Sequence, residues 1–142
     1  MNSLEQQYAV KVLSCMNEVL NNEEKFMVDY GRLCHKFPYM VLTNGLRLTV
    51  AFYQGKGKKD KAYSIFIKDL GEVLDLTAWN EMMNKGVGPA DYRMLTMRSL
   101  KAAAWFKRYA QTILQVDSDD DSTISTPELK DLQAPRATDG GA

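Results

Sequence analysis

At 142 residues, 45% of them hydrophobic, and with 18 basic side chains against 18 acidic ones, the chain has the size of one domain that buries roughly two-thirds of its unfolded surface, with no need of a disulfide or metal staple. Its two cysteines, Cys15 and Cys34, stand in apolar, helix-like contexts without CxxC or Cys/His spacing, and read as reduced thiols of a cytosolic protein. The opening MNSLEQQYAV has neither a basic nor a long apolar leader, and no window approaches the roughly 18 apolar residues of a membrane span, so the expectation is a cytoplasmic protein with no membrane contact.

The first helix is predicted from a capping box. Ser3 stands three residues before Gln6, and the stripe Tyr8, Val12, Cys15, Met16, Val19 and Leu20 follows at helical spacing. Asn21-Asn22 before Glu23-Glu24 reads as a break and a second start, with acids at the positive end of the helix dipole. That second helix turns Phe26, Met27, Tyr30, Leu33 and Cys34 inward. Phe37-Pro38 punctuates again, and proline suits the first turn of a third helix.

From Val41 to Tyr53 two readings stand. Leu46, Leu48, Val50 and Phe52 alternate with smaller or polar residues behind Asn44-Gly45, as in a hairpin. Val41, Leu42, Gly45, Leu46, Thr49, Val50 and Tyr53 equally fit one helical face. A lysine loop, Gly55 to Asp60, leads into a helix striped by Ile65, Leu70, Val73 and Leu74. Gly86 to Pro89 is a loop. The last helix is expected to open on a Thr96 cap and to bury, in part, Leu100, Ala103, Ala104, Tyr109, Ile113 and Leu114. The chain thus reads as all-α: a single compact bundle of about five to six helices over residues 1–115. An acidic C-terminal tail, 116–142, is too poor in large apolar residues to fold alone and is expected to be mobile.

The zero net charge is segregated along the chain. Residues 1–30 carry net −3, residues 31–115 net +8 and residues 116–142 net −5. The basic middle comprises Arg47, Lys56, Lys58, Lys59, Lys61, Arg93, Arg98, Lys101, Lys107 and Arg108, joined by Arg32 and Lys36. Such a run is more often a solvated face, but the excess, with few acids at i,i+4 to neutralise it, can hold a polyanion, for which phosphate backbone is the obvious counter-charge; a helical adaptor whose basic face meets an acidic protein is the rival.

No catalytic constellation can be built around the single histidine, His35, which reads as a capping or surface residue. GKGKKDK lacks the phosphate-cradling spacing of a nucleotide-hydrolysing loop. Neither an enzyme activity nor a cofactor is expected. The tail offers a calcium-loop rival: Asp117, Asp119, Asp121, Thr123, Ser125 and Glu128 fall at loop positions 1, 3, 5, 7, 9 and 12. Ser122 stands where the turn wants glycine, and Pro135 cuts off the following helix. A solvated acidic tail is the preferred reading, and a calcium-responsive helical module the rival.

The order of short motifs resembles a known family. Pro38, then Asn44-Gly45-Leu46, Ala51-Phe52, Lys56, Tyr92-Arg93 and Trp105-Phe106-Lys107-Arg108 resemble the pattern of the small subunit of type III-B CRISPR effectors, the Cmr complex, over about residues 1–115. The resemblance implies an α-helical bundle, with Asn44-Gly45 inside a helix and Gly45 permitting close approach of a neighbour. It implies a non-catalytic structural subunit whose partners are the backbone and large subunits, guide RNA, target RNA and further copies of itself stacked in a second filament. RNA cleavage in such complexes belongs to the backbone subunit. The small subunit of the related type III-A complexes is the nearest alternative. Trp105 and Phe106 are assigned to core or subunit contact rather than to base stacking.

Overall fold

The computed structural model describes residues 3–76, Trp79 and residues 86–117. The described residues form an all-helical bundle of five helices: α1 (Leu4–Val19), α2 (Glu24–Asn44), α3 (Leu46–Lys56), α4 (Lys61–Val73) and α5 (Pro89–Thr112). The tail from residue 118 onward lies outside them.

α1 begins with the expected capping box. The Gln6 amide donates to Ser3 Oγ at 3.1 Å, and the Ser3 amide donates to Gln6 Oε1 at 3.0 Å. α2 starts after the Asn21-Asn22 break, as the sequence predicts, but it does not stop at Pro38. The helix runs through the proline to Asn44, so no third helix begins there. Pro38 has no N–H to return to Cys34, and Tyr53 Oη donates to the neighbouring Leu33 carbonyl at 3.0 Å, adding a bond beside the opened turn.

Neither the hairpin nor an uninterrupted helix describes Asn44-Gly45. Gly45 is a one-residue corner between α2 and α3 with φ +88°. Its amide donates to Val41 O at 2.8 Å, and its carbonyl accepts from the Thr49 amide and from Thr49 Oγ1 at 2.8 Å. Close approach is not what requires glycine: a Cβ here would meet only Tyr92 Oη, at an ordinary 3.8 Å. The positive φ requires it. α5 opens at Gly88-Pro89 rather than at Thr96, whose hydroxyl instead donates to Tyr92 O inside the helix at 2.9 Å.

α2 and α5 are antiparallel, since Arg47 just past the end of α2 meets Tyr92 at the start of α5, while Tyr30 packs on Phe106. α4 crosses both. Phe66, fully buried at its centre, contacts Tyr30 and Phe37 of α2, Tyr53 of α3 and Phe106 of α5, with ring centroids 5.7, 5.4, 5.5 and 5.1 Å away. Within the expected α4 stripe, Leu70 and Val73 are buried, while Ile65 and Leu74 are only partly so. On α5, Ala104 points to solvent.

After α5 the chain folds back over α2. Val116 is buried against Gly31, and its carbonyl accepts from His35 Nε2 at 2.7 Å. His35 is therefore an interior clasp and not a surface or capping residue. A Cβ on Gly31 would sit 2.6 Å from Val116. Gly31→Ala is expected to destabilise the protein by about 1–3 kcal/mol by overpacking and to speed amide exchange at 113–116 while α4 stays protected. Unchanged melting and exchange would show that this segment is not held by packing on α2.

Candidate nucleic-acid interface

Nine of the ten predicted cations are exposed and Lys56 is half-buried, so all ten lie at the surface. Lys36 does not join them: it is 1% exposed, its ammonium donating to Tyr63 Oη at 2.6 Å and lying 4.8 Å from the Tyr63 ring centre and about 6 Å from those of Phe52 and Tyr53. Arg32 is half-buried.

The first cluster is the corner between α3 and α4. Gly57 lets the two helices cross closely, since a Cβ there would lie 2.8 Å from Ser64 Cβ, and Asp60 caps α4 by accepting from the Ala62 amide at 3.1 Å. The turn holds Lys58 and Lys59 in solvent. Lys56 reaches back over the Phe52 ring at 5.6 Å, and Lys61 lies over Phe26 at 5.3 Å. The second cluster runs along α5, where Arg98, Lys101, Lys107 and Arg108 are exposed. Here Glu5 of α1 accepts from Trp105 Nε1 at 2.9 Å and lies 3.4 Å from Lys101, while Arg108 covers Trp105 at 5.0 Å. The Trp105 hydrogen bond, helped by Lys101, holds the Glu5 carboxyl below its ordinary range. Trp105 is thus half-buried between helices, as expected of a packing residue, and Phe106 is core.

A third contact was not visible in the sequence: Arg47 stacks over the Tyr92 ring at 4.8 Å while its amide donates to Tyr92 Oη at 2.9 Å, which sets it at the start of α5. Lys61 and the last turns of α5 also share one end of the bundle, because Phe26 under Lys61 packs on Tyr30, and Tyr30 on Phe106.

Of the calcium set, Asp117 is exposed; Asp119, Asp121, Thr123, Ser125 and Glu128 lie outside the described residues. Among the described residues no group of three or more His, Cys, Asp or Glu is placed to hold a metal ion. No helix among them is long and apolar enough to cross a membrane.

The sequence reading missed a buried acid. Asp69 lies on the inward face of α4 and accepts from Tyr30 Oη at 2.7 Å, beside Cys15 in a cleft of about 300 Å3. Burial pushes its carboxyl up to about 6, against the lowering effect of the Tyr30 bond. Burial likewise pushes Cys15 up to about 12 and Cys34 well above the ordinary thiol value, so neither thiol is poised as a nucleophile.

Residues 4–113 match the model of the family described as CRISPR-associated protein (Cas_Cmr5). A curated relative from Thermus thermophilus, named CRISPR system Cmr subunit Cmr5, is 29% identical over 117 residues, which span 81% of this chain and 99% of that protein. The fold is similar to the X-ray crystal structure of a CRISPR-associated Cmr5 family protein from Thermus thermophilus. There the TM-score is 0.71 and the identity 30%, over 80% of this chain and 98% of the other.

The raised Asp69 value fixes the sign of a pH effect. The folded state holds this proton more tightly than the unfolded chain, so the stabilisation it gives is full below about pH 4 and is lost as pH rises through about 6. Asp69→Asn keeps an acceptor for Tyr30 without the charge. It is expected to raise stability at pH 7.5 by on the order of 1 kcal/mol and to change it little near pH 4, read from urea midpoints of the two proteins. A variant less stable at pH 7.5 would mean that the ionised carboxylate itself is stabilising.

Proposed function

The chain belongs to the CRISPR-associated Cmr5 family, and from that premise we propose that it is the non-catalytic small subunit of a type III-B CRISPR effector complex, working in the cytoplasm in antiviral defence. The observation that carries the reading is the family match over residues 4–113 together with ten surface cations within that span. In this reading, copies stack in the minor filament beside the backbone and large subunits and meet the phosphates of guide and target RNA through Arg47, the Lys56 to Lys61 corner, and Arg93, Arg98, Lys101, Lys107 and Arg108. Exposed apolar side chains support contacts to neighbouring subunits: Val10 and Leu13 on α1, and Met94 and Met97 on α5, are 65%, 40%, 50% and 57% exposed.

The binding is electrostatic and cumulative. Each phosphate contact on a single strand steepens the fall of log K with log salt by roughly 0.7, so a copy making two or three contacts holds RNA weakly alone. Stacked copies hold it through effective concentration. A tagged protein drawn from its native cell is expected to bring a multi-subunit assembly and short RNA of discrete length. The Lys107→Glu, Arg108→Glu double variant is expected to assemble normally yet capture target RNA about tenfold less at physiological salt, with a shallower salt slope. Recovery of a lone protein without RNA would overturn the reading. Full capture by the double variant within an intact complex would remove these two residues from the RNA surface.

A further inference from the structure

An open depression of about 560 Å3 lies at the α3–α4 corner, lined by Ala51, Phe52, Gly55, Lys56, Lys59, Asp60 and Tyr63. Phe52 is half-buried, and its ring meets that of Tyr63 nearly edge-on, with centroids 6.0 Å apart at 80°. Under this aromatic floor sits the buried Lys36 ammonium, on Tyr63 Oη at 2.6 Å and 5.9 Å from the Phe52 ring centre. The rim carries Lys56 and Lys59, with Lys58 exposed between them. Asp60, the acid of the lining, is engaged at the N-cap of α4. Gly55 leaves the wall open, since a Cβ there would meet nothing within 4 Å.

A bare cluster of lysines on a solvated turn would bind any polyanion through charge alone. An aromatic surface beneath lysines, with a positive charge set under it, suits a ligand that is flat and electron-rich at one end and anionic at the other. A nucleotide is such a ligand. A duplex keeps its bases stacked and offers only backbone at such a depression, whereas an unpaired nucleotide offers both ends. We propose that this depression receives one unpaired nucleotide of single-stranded RNA, its base against Phe52, with the buried Tyr63 ring behind it, and its flanking phosphates on Lys56 and Lys59. The assignment deepens the RNA reading above and rests on it. On binding, the Lys56 ammonium leaves the Phe52 face, 5.6 Å away, for a phosphate, and the base replaces it there.

The test is anisotropy titration of the full chain at low salt with a labelled ten-nucleotide single-stranded RNA, an abasic strand of equal length, and a mononucleotide. The intact strand is expected to bind about tenfold more tightly than the abasic one, the effect typical of one stacked base. Gly55→Leu, which fills the depression without changing charge, and Phe52→Leu are expected to erase that difference and keep the salt slope. Lys56→Gln with Lys59→Gln should flatten the slope. Circular dichroism melting checks that Gly55→Leu remains folded. Equal binding of intact and abasic strands with a full salt slope would overturn the nucleotide pocket and leave the RNA reading standing. A mononucleotide binding as tightly as the strand would overturn it in favour of a free-nucleotide site. Absence of binding to every strand would overturn the pocket, while the RNA reading, which relies on stacked copies, stands or falls by the recovery from the native cell.

Discussion

The arrangement of the bundle depends on the contact of Phe66 with four other rings. Tyr30, Phe37, Tyr53 and Phe106 come from three different helices, and all four meet this one side chain of α4 within 5.1 to 5.7 Å. Two buried polar pairs bracket it. One turn before Phe66, Tyr63 takes the Lys36 ammonium; one turn after it, Asp69 takes the Tyr30 hydroxyl. The aromatic hub alone would tolerate α4 sliding along α2, because one apolar contact replaces another at little loss. The polar pairs do not, since a slip of one turn would strand a desolvated ammonium and carboxylate apart from their hydroxyl partners. The hub supplies cohesion and the flanking pairs supply register.

Register in turn decides which cations face solvent. With Lys36 drawn inside, and Lys11, Lys25 and Lys68 set against Asp75, Asp29 and Glu72, most of the remaining positive charge is carried by the corner after α3 and by α5, which begins beside Arg47 and ends near Lys61 through the chain of rings Phe26, Tyr30 and Phe106. Glu5 draws off part of the charge on α5 through Trp105 and Lys101, whereas Lys58 and Lys59 project from the turn into solvent. A chain of zero net charge therefore presents a basic surface, because its acids are concentrated at the two ends of the sequence.

Local signals were legible where a side chain satisfies its own backbone or where a stripe is purely apolar. The Ser3–Gln6 box, the break at Asn21-Asn22 and the apolar register of α1 from Tyr8 to Val19 follow from such rules, although Leu20, at the end of that stripe, caps the helix in solvent, and the motif order over Pro38 to Arg108 carried the family. Pro38 was misleading, because a proline's usual meaning is a helix start, while here α2 runs through it, with the Tyr53 hydroxyl bonded to the adjacent Leu33 carbonyl. Gly45 fitted both a hairpin and a helix, and the corner is made by its positive φ, the Thr49 bonds to its carbonyl and the packing of Tyr92 on Arg47. Lys36 and Asp69 were hidden by residue type, although their positions were not. Lys36 falls three after Leu33 and four before Met40, and Asp69 falls three after Phe66 and four before Val73, all of them buried. Helical spacing marks both as interior, and it takes their hydroxyl partners, distant in sequence, to make that burial tolerable.

Lys36 also joins the fold to its surface chemistry. Burying an ammonium is costly unless polar and π-electron partners replace its water. Here the replacement comes from Tyr63 Oη and from the inner faces of the rings around it, among them Phe52, which also helps to line the open corner. Phe52, whose ring centre lies 5.9 Å from the ammonium, also lines the depression, and the low dielectric of the core leaves the field of that charge poorly screened. A neutral residue of similar length would keep the helices packed but leave the floor of the corner without that field. Lys36 thus shares in both: with the Tyr30–Asp69 pair it sets the α2–α4 register, and from behind the rings it adds to a corner whose surface charge is carried by Lys56, Lys58, Lys59 and Lys61.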